Sequence, residues 1–214
     1  MFENDIKYNS LIQRLKKTYS KQVYFDLLLY LGSGISLASV IYLLMAIIEF
    51  LANGSIEFRT NLFFIFLSLT GISLLSSLLL FKKRYKNSEN EKIIKTSNKI
   101  GNYYPEVRDK LTNAIQIYKQ IQTSQGLSID LANYELNLVS ESTQSLDFDE
   151  IIEKKRFKKF LLLFISIIGV VFILTGINDF AFNPAANRII NYSKSFIPAV
   201  PFEIFIENKN INVL

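Results

Sequence analysis

Apolar positions along this chain gather into three long blocks instead of a period spread over its whole length. From Leu27 to Ile48, Leu62 to Phe81 and Phe160 to Ile177 run 22, 20 and 18 residues without one Asp, Glu, Lys or Arg. At ~1.5 Å per helical residue these reach roughly 33, 30 and 27 Å, against a hydrocarbon thickness of about 30 Å. The pattern predicts three transmembrane helices, over 27–48, 62–81 and 160–177, because only about 150 other residues remain to bury such blocks in a soluble core. The first block is too long for the apolar part of a cleavable leader.

Outside the blocks the period turns helical. Over residues 1–24, Tyr8, Leu11, Ile12, Leu15, Tyr19 and Val23 recur at spacings of three and four. That stripe fits a cytoplasmic amphipathic helix, either lying on the membrane or packed on neighbouring helices. Residues 25–81 form a transmembrane hairpin, closed by Ala52 to Thr60 with a tight turn at Asn53 and Gly54. Residues 82–159 predict a small helical subdomain. One helix starts at the Ser88-x-x-Glu91 capping box, a second runs from Pro105 toward Gly126, and a third follows Ser128. A fourth is expected to begin at Asp147 and run unbroken through Lys154 to Lys159 into the third span. In 178–214, Pro184 to Lys194 reads as a short amphipathic helix, and Phe202, Ile204 and Ile206 then alternate as in a β-strand. A lone strand has no sheet to join, so the native chain is expected to continue past Leu214 into a larger external domain. The fold class expected is all-α integral membrane, with a C-terminal β-strand segment.

Charge orients these elements. Of the 24 Lys and Arg residues, 20 lie in 1–24 and 82–159, against 13 Asp and Glu there. By the positive-inside rule that side is cytoplasmic, giving a cytoplasmic N-terminus and an extracytoplasmic C-terminus. Lys82, Lys83, Arg84, Lys155, Arg156, Lys158 and Lys159 crowd the span ends, where anionic lipid head groups are the natural partners. Nucleic acid is not expected, since these residues hug the bilayer and do not form a separate basic face.

Candidate chemistry is sparse. The absence of Cys and His removes disulfides, thiol nucleophiles, imidazole catalysis and ordinary zinc sites. The cluster Asp147, Asp149, Glu150 and Glu153 lacks the glycine rhythm of a calcium loop and suits helix capping. No block contains a charge or a proline, so a pore or carrier built by this chain alone is not expected. No catalytic, cofactor-binding or metal-ligating residue is assigned. Gly32, Gly34 and Ser36 in the first span, Gly71 and Ser77 in the second and Gly169 in the third offer small surfaces for helix packing.

Two stretches carry a likeness: Tyr104-Pro-Glu-Val-Arg-Asp109-Lys-Leu-Thr-Asn113, and Pro184-Ala-Ala-Asn-Arg188-Ile-Ile-Asn-Tyr192 with Pro198-Ala-Val-Pro-Phe202. With the order of hairpin, helical segment, third span and strand, they resemble the N-terminal membrane region of bacterial envelope proteins in domain-of-unknown-function family 4175. The resemblance implies a bacterial inner-membrane location and a large extracytoplasmic region beyond the third span. That family's activity is undefined, so it transfers no catalytic residue. The function expected is a non-enzymatic anchor or assembly component of the cell envelope, working with other membrane or envelope proteins. The alternatives are an accessory subunit of a transporter or secretion complex, and a signalling protein working through the unbroken helix from Asp147.

Overall fold

The computed structural model describes residues 2–123, 129–177 and 182–196. Its helices are α1 (Phe2–Ala52), α2 (Ile56–Tyr85), α3 (Glu89–Tyr103), α4 (Arg108–Thr123), α5 (Ile129–Gln144), α6 (Lys154–Gly176) and α7 (Asn183–Ile190). The strand expected at Phe202 to Glu207 lies outside the described residues.

α1 joins the amphipathic N-terminal stretch and the first apolar block into one helix of 51 residues. No proline interrupts it and no capping residue ends it early, so the change from polar to apolar surroundings happens within a continuous helix. Its N-terminal stripe packs on the helical subdomain: Leu11 and Leu15 are buried in one core with Val107, Leu111, Ile115, Leu136 and Val139. Tyr8 and Ile12 pack beside them, so this part of the stripe faces the subdomain.

The hairpin turn is shorter than the sequence suggested, because helix continues to Ala52 and resumes at Ile56. Asn53 takes a left-handed conformation with φ 42°, which asparagine tolerates better than most residues. Ser55 then caps α2, its hydroxyl accepting from the Phe58 amide at 3.3 Å. At the far end of the helical subdomain, Ser88 caps α3 by accepting from the Glu91 amide, as the sequence predicts. α3 and α4 come close at Gly101, where an added Cβ would lie 2.2 Å from the Arg108 carbonyl oxygen. Only glycine fits that approach.

α1 also supplies the polar fastening of this subdomain. Arg14 donates to the Thr143 and Leu146 carbonyl oxygens at 3.0 and 2.7 Å, holding the turn that follows α5. Its guanidinium lies 4.2 Å from the centre of the Phe148 ring. Tyr104 donates to the Asp147 carbonyl and the Glu150 carboxylate at 2.9 and 2.8 Å.

The unbroken helix expected from Asp147 is corrected here. Phe148–Ile151 form a single 3-10 turn, Ile152 is extended at φ −76° and ψ 121°, and α6 restarts at Lys154. The Asp147 side chain accepts from the Asp149 amide at 2.9 Å, a local bond that favours a tight turn. Thr18 donates to Asp149 at 3.1 Å and Lys21 pairs with the same carboxylate, while Phe148 and Ile152 are buried. Seating those groups on α1 outweighs the small intrinsic preference for continuing a helix.

Three helices, α1, α2 and α6, are long and apolar enough to cross a membrane. None of the 18-residue apolar window of α6 is buried within the chain, and only 22% and 17% of those of α1 and α2 are. Leu67, Leu79, Leu162, Ile165 and Phe172 stand more than half exposed. So much outward apolar surface suits hydrocarbon and would make a chain aggregate in water.

Candidate functional site

Charged groups gather at both ends of the α1–α2 hairpin, where the apolar blocks begin and stop. At the end carrying the helical subdomain, Asp26 is the last ionic residue of α1 before its apolar run, and Arg84 and Tyr85 close α2. Antiparallel packing brings them together. The Tyr85 hydroxyl donates to Asp26 Oδ2, and Arg84 Nε lies 3.4 Å from the same oxygen. Tyr30, one turn further along α1, lines the same cleft as Arg84.

Lys99 of α3 enters the same neighbourhood. Desolvation pushes its ammonium below the usual range, the facing Arg84 guanidinium adds to that, and Asp26 and Glu153 pull the other way. Among the described residues no carboxylate lies within ion-pair distance of Lys99.

Clefts meet at Arg84 and Lys99 from two directions. One, of about 220 Å³, adds Lys95 and the polar groups of Gln22, Asn87 and Thr96, and has no carboxylate in its wall. In the other direction a cavity of about 40 Å³ passes beside Glu153, Arg156 and Phe157. It shares Asp26, Leu29, Arg84 and Arg156 with a cleft of about 240 Å³ between α1 and α6, whose wall continues through Tyr30, Ser33 and Phe160. The polar neighbourhood thus runs into a groove beside the spans that adds Leu29, Tyr30, Ser33 and Phe160 to its charged groups.

At the turn end, Glu49 is fully buried and Arg188 of α7 donates to it through Nε at 3.0 Å. Arg188 Nη2 donates to Asn53 Oδ1, also at 3.0 Å, so α7 is tied to the turn itself. Ala186 and Ile189 fill in beneath, against Met45, Ala46 and Leu62. Arg59 is 4% exposed, lies 5.1 Å from the centre of the Phe196 ring, and donates to the Ser55 carbonyl at 3.4 Å. Glu49 Oε2 and Arg59 Nη1 are buried without a hydrogen-bond partner.

The small residues singled out in the sequence divide into two groups. Gly32 lies against Phe160 of α6, where an added Cβ would come within 2.8 Å of the ring, and Gly34 lies against Ser77, 2.7 Å from its hydroxyl. Ser77 donates to the Ser73 carbonyl at 3.0 Å, and Ser36 is buried with its hydroxyl unpartnered. Gly71 and Gly169 have nothing within 4 Å of an added Cβ, so neither mediates a helix contact within this chain. Of the basic residues, Lys82, Lys83, Lys155, Lys158 and Lys159 are exposed. Arg84 and Arg156 line the clefts, Arg156 beside Glu153 at 3.6 Å.

Ser73, another small residue of the second span, donates through its hydroxyl to the Gly34 carbonyl at 3.1 Å across the hairpin. Sequence reasoning missed the Arg84–Lys99 pair and the Glu49–Arg188 bond. A signal was present in both cases: Asp26 and Glu49 are lone acids at the two edges of one apolar run. A charge at such an edge needs a partner brought by another element.

Among the described residues no group of three His, Cys, Asp or Glu is placed to hold a metal ion. Among the described residues the regular structure is all helical, with three helices able to cross a membrane. Comparison with models of known protein families, with curated proteins and with solved structures finds no match.

Proposed function

We propose that the chain is a non-enzymatic anchor and assembly component of a bacterial cytoplasmic membrane, with its helical subdomain in the cytoplasm and α7 on the outer side. The observation that carries this reading is α1, which holds a folded module at each end. Its first half is part of the core of the helical subdomain, and its last turn holds α7 through Glu49 and Arg188. A helix loaded at both ends suits a role in fixing one module relative to the other across a bilayer. The orientation rests on the surplus of Lys and Arg on the subdomain side. The likeness to family 4175 envelope proteins points to the same setting.

Signalling through a continuous helix loses its premise, since Ile152 and Glu153 separate the 3-10 turn from α6. The test of the anchor reading is to tag the N-terminus in the native host, extract in mild detergent and identify what co-purifies by mass spectrometry. An anchor of an external domain gives a tagged chain longer than 24.7 kDa with no stoichiometric companion. A 24.7 kDa chain in fixed ratio with transporter or secretion components overturns the reading and makes it their accessory subunit.

A further inference from the structure

We propose that the clefts meeting at Arg84 and Lys99 form a binding site for one anionic phospholipid, with its phosphate between these cations and an acyl chain along the groove between α1 and α6. The phosphate end is argued from charge. Arg84, Lys95 and Lys99 share a cleft of about 220 Å³ that has no carboxylate in its wall. Asp26 is already engaged by Tyr85 and Arg84, and Glu153 sits 3.6 Å from Arg156. Arg84 is paired with Asp26, whereas Lys95 and Lys99, both exposed on the wall of the same cleft, have no carboxylate at ion-pair distance among the described residues, which leaves them for a bound anion. Gln22, Asn87 and Thr96 add hydrogen-bonding groups for the polar part of a headgroup.

The chain end is argued from position. Arg84 stands at the last turn of α2, and Asp26 opens the apolar run of α1, so the phosphate falls at the height where a bilayer keeps its own phosphates. The groove is lined by Asp26, Arg84 and Arg156 together with Leu29, Tyr30, Ser33 and Phe160, and an acyl chain can lie along the last four. A free phosphate would use the cations and leave this apolar stretch unfilled. The site extends the general attraction of basic span ends for anionic lipid to a defined place with named contacts. It does not depend on the anchor role.

The test uses the full chain purified in a non-ionic detergent and titrated with phosphatidylglycerol, phosphatidylcholine or inorganic phosphate, with bound lipid read by native mass spectrometry. Phosphatidylglycerol is expected to bind at least about tenfold more tightly than phosphatidylcholine, and millimolar phosphate to leave it bound. Lys99→Gln should erase the preference and Lys99→Arg keep it. Lys110→Gln, exposed on α4 away from the clefts and the span ends, should leave it unchanged. The site is overturned if Lys99→Gln binds phosphatidylglycerol as the parent does, if Lys110→Gln weakens it equally, or if Lys99→Arg loses it while circular dichroism stays that of the parent. Displacement of the lipid by phosphate would also overturn the lipid assignment.

Discussion

At the scale of single residues, side chains of α1 decide how the segment before the third apolar helix is seated. Asp149 accepts from Thr18 and pairs with Lys21, and those bonds hold its carboxyl below the usual range even though its partial burial alone would raise it. A carboxylate whose native value is depressed contributes stability above its unfolded value, near pH 4, and loses it as pH falls through the native value. Asp149→Asn should therefore be less stable than the parent at pH 7, by roughly 1 kcal/mol given solvent screening. The two should converge as pH drops below about 4. Thermal unfolding in detergent between pH 7 and pH 3 measures the difference, and a gap that persists at the acid end would refute the carboxylate's part. Tyr104 shows the opposite sign on the same segment. Desolvation and its bond to Glu150 push its phenol up to about 12.

At the scale of elements, the helices were legible in the sequence and the joints between them were not. The three apolar runs, the Ser88 cap and the stripe from Tyr8 to Val23 reflect local periodicity and capping, which a sequence carries directly. The break at Ile152 depends on Thr18 and Lys21, more than 120 residues away, and no local pattern announces it. Gly101 is similar, because the carbonyl it makes room for belongs to the next helix. The small residues were half legible: their type is visible, but whether a glycine faces a partner depends on helix rotation. Gly32 meets Phe160 and Gly71 meets open space, which gives a paired expectation. With no native cysteine in the chain, Phe25→Cys and Phe157→Cys, whose parent rings stand 5.0 Å apart, report on the α1–α6 contact through a short bis-maleimide. Gly32→Leu should reduce that crosslink severalfold, and Gly71→Leu should leave it intact. Equal crosslinking in both would show that Phe160 yields without moving α6.

At the scale of the whole molecule, α1 ties the two ends together, and its outer tie depends on one buried pair. Removing a partner from a buried ion pair costs about 3–5 kcal/mol, because the remaining charge is stranded. Arg188→Ala leaves the fully buried Glu49 in that position, so α7 should detach from the hairpin while the helical subdomain stays folded. Hydrogen exchange should speed over 183–190 and stay slow over the Leu111 and Leu136 core. Uniform acceleration would mean that the two ends unfold together. The same helix has a mechanical property. At ~1.5 Å per residue, its 51 residues make a rod about 76 Å long, with α3 to α5 loaded at one end and α7 at the other. If membrane mid-depth, at the middle of the Leu27–Ile48 run, is the fulcrum, a rock of about 10° swings the N-terminal tip by roughly 9 Å and the C-terminal tip by roughly 4 Å in opposite directions. Lateral pressure in the bilayer then reaches both aqueous faces at once, as torque on a single lever.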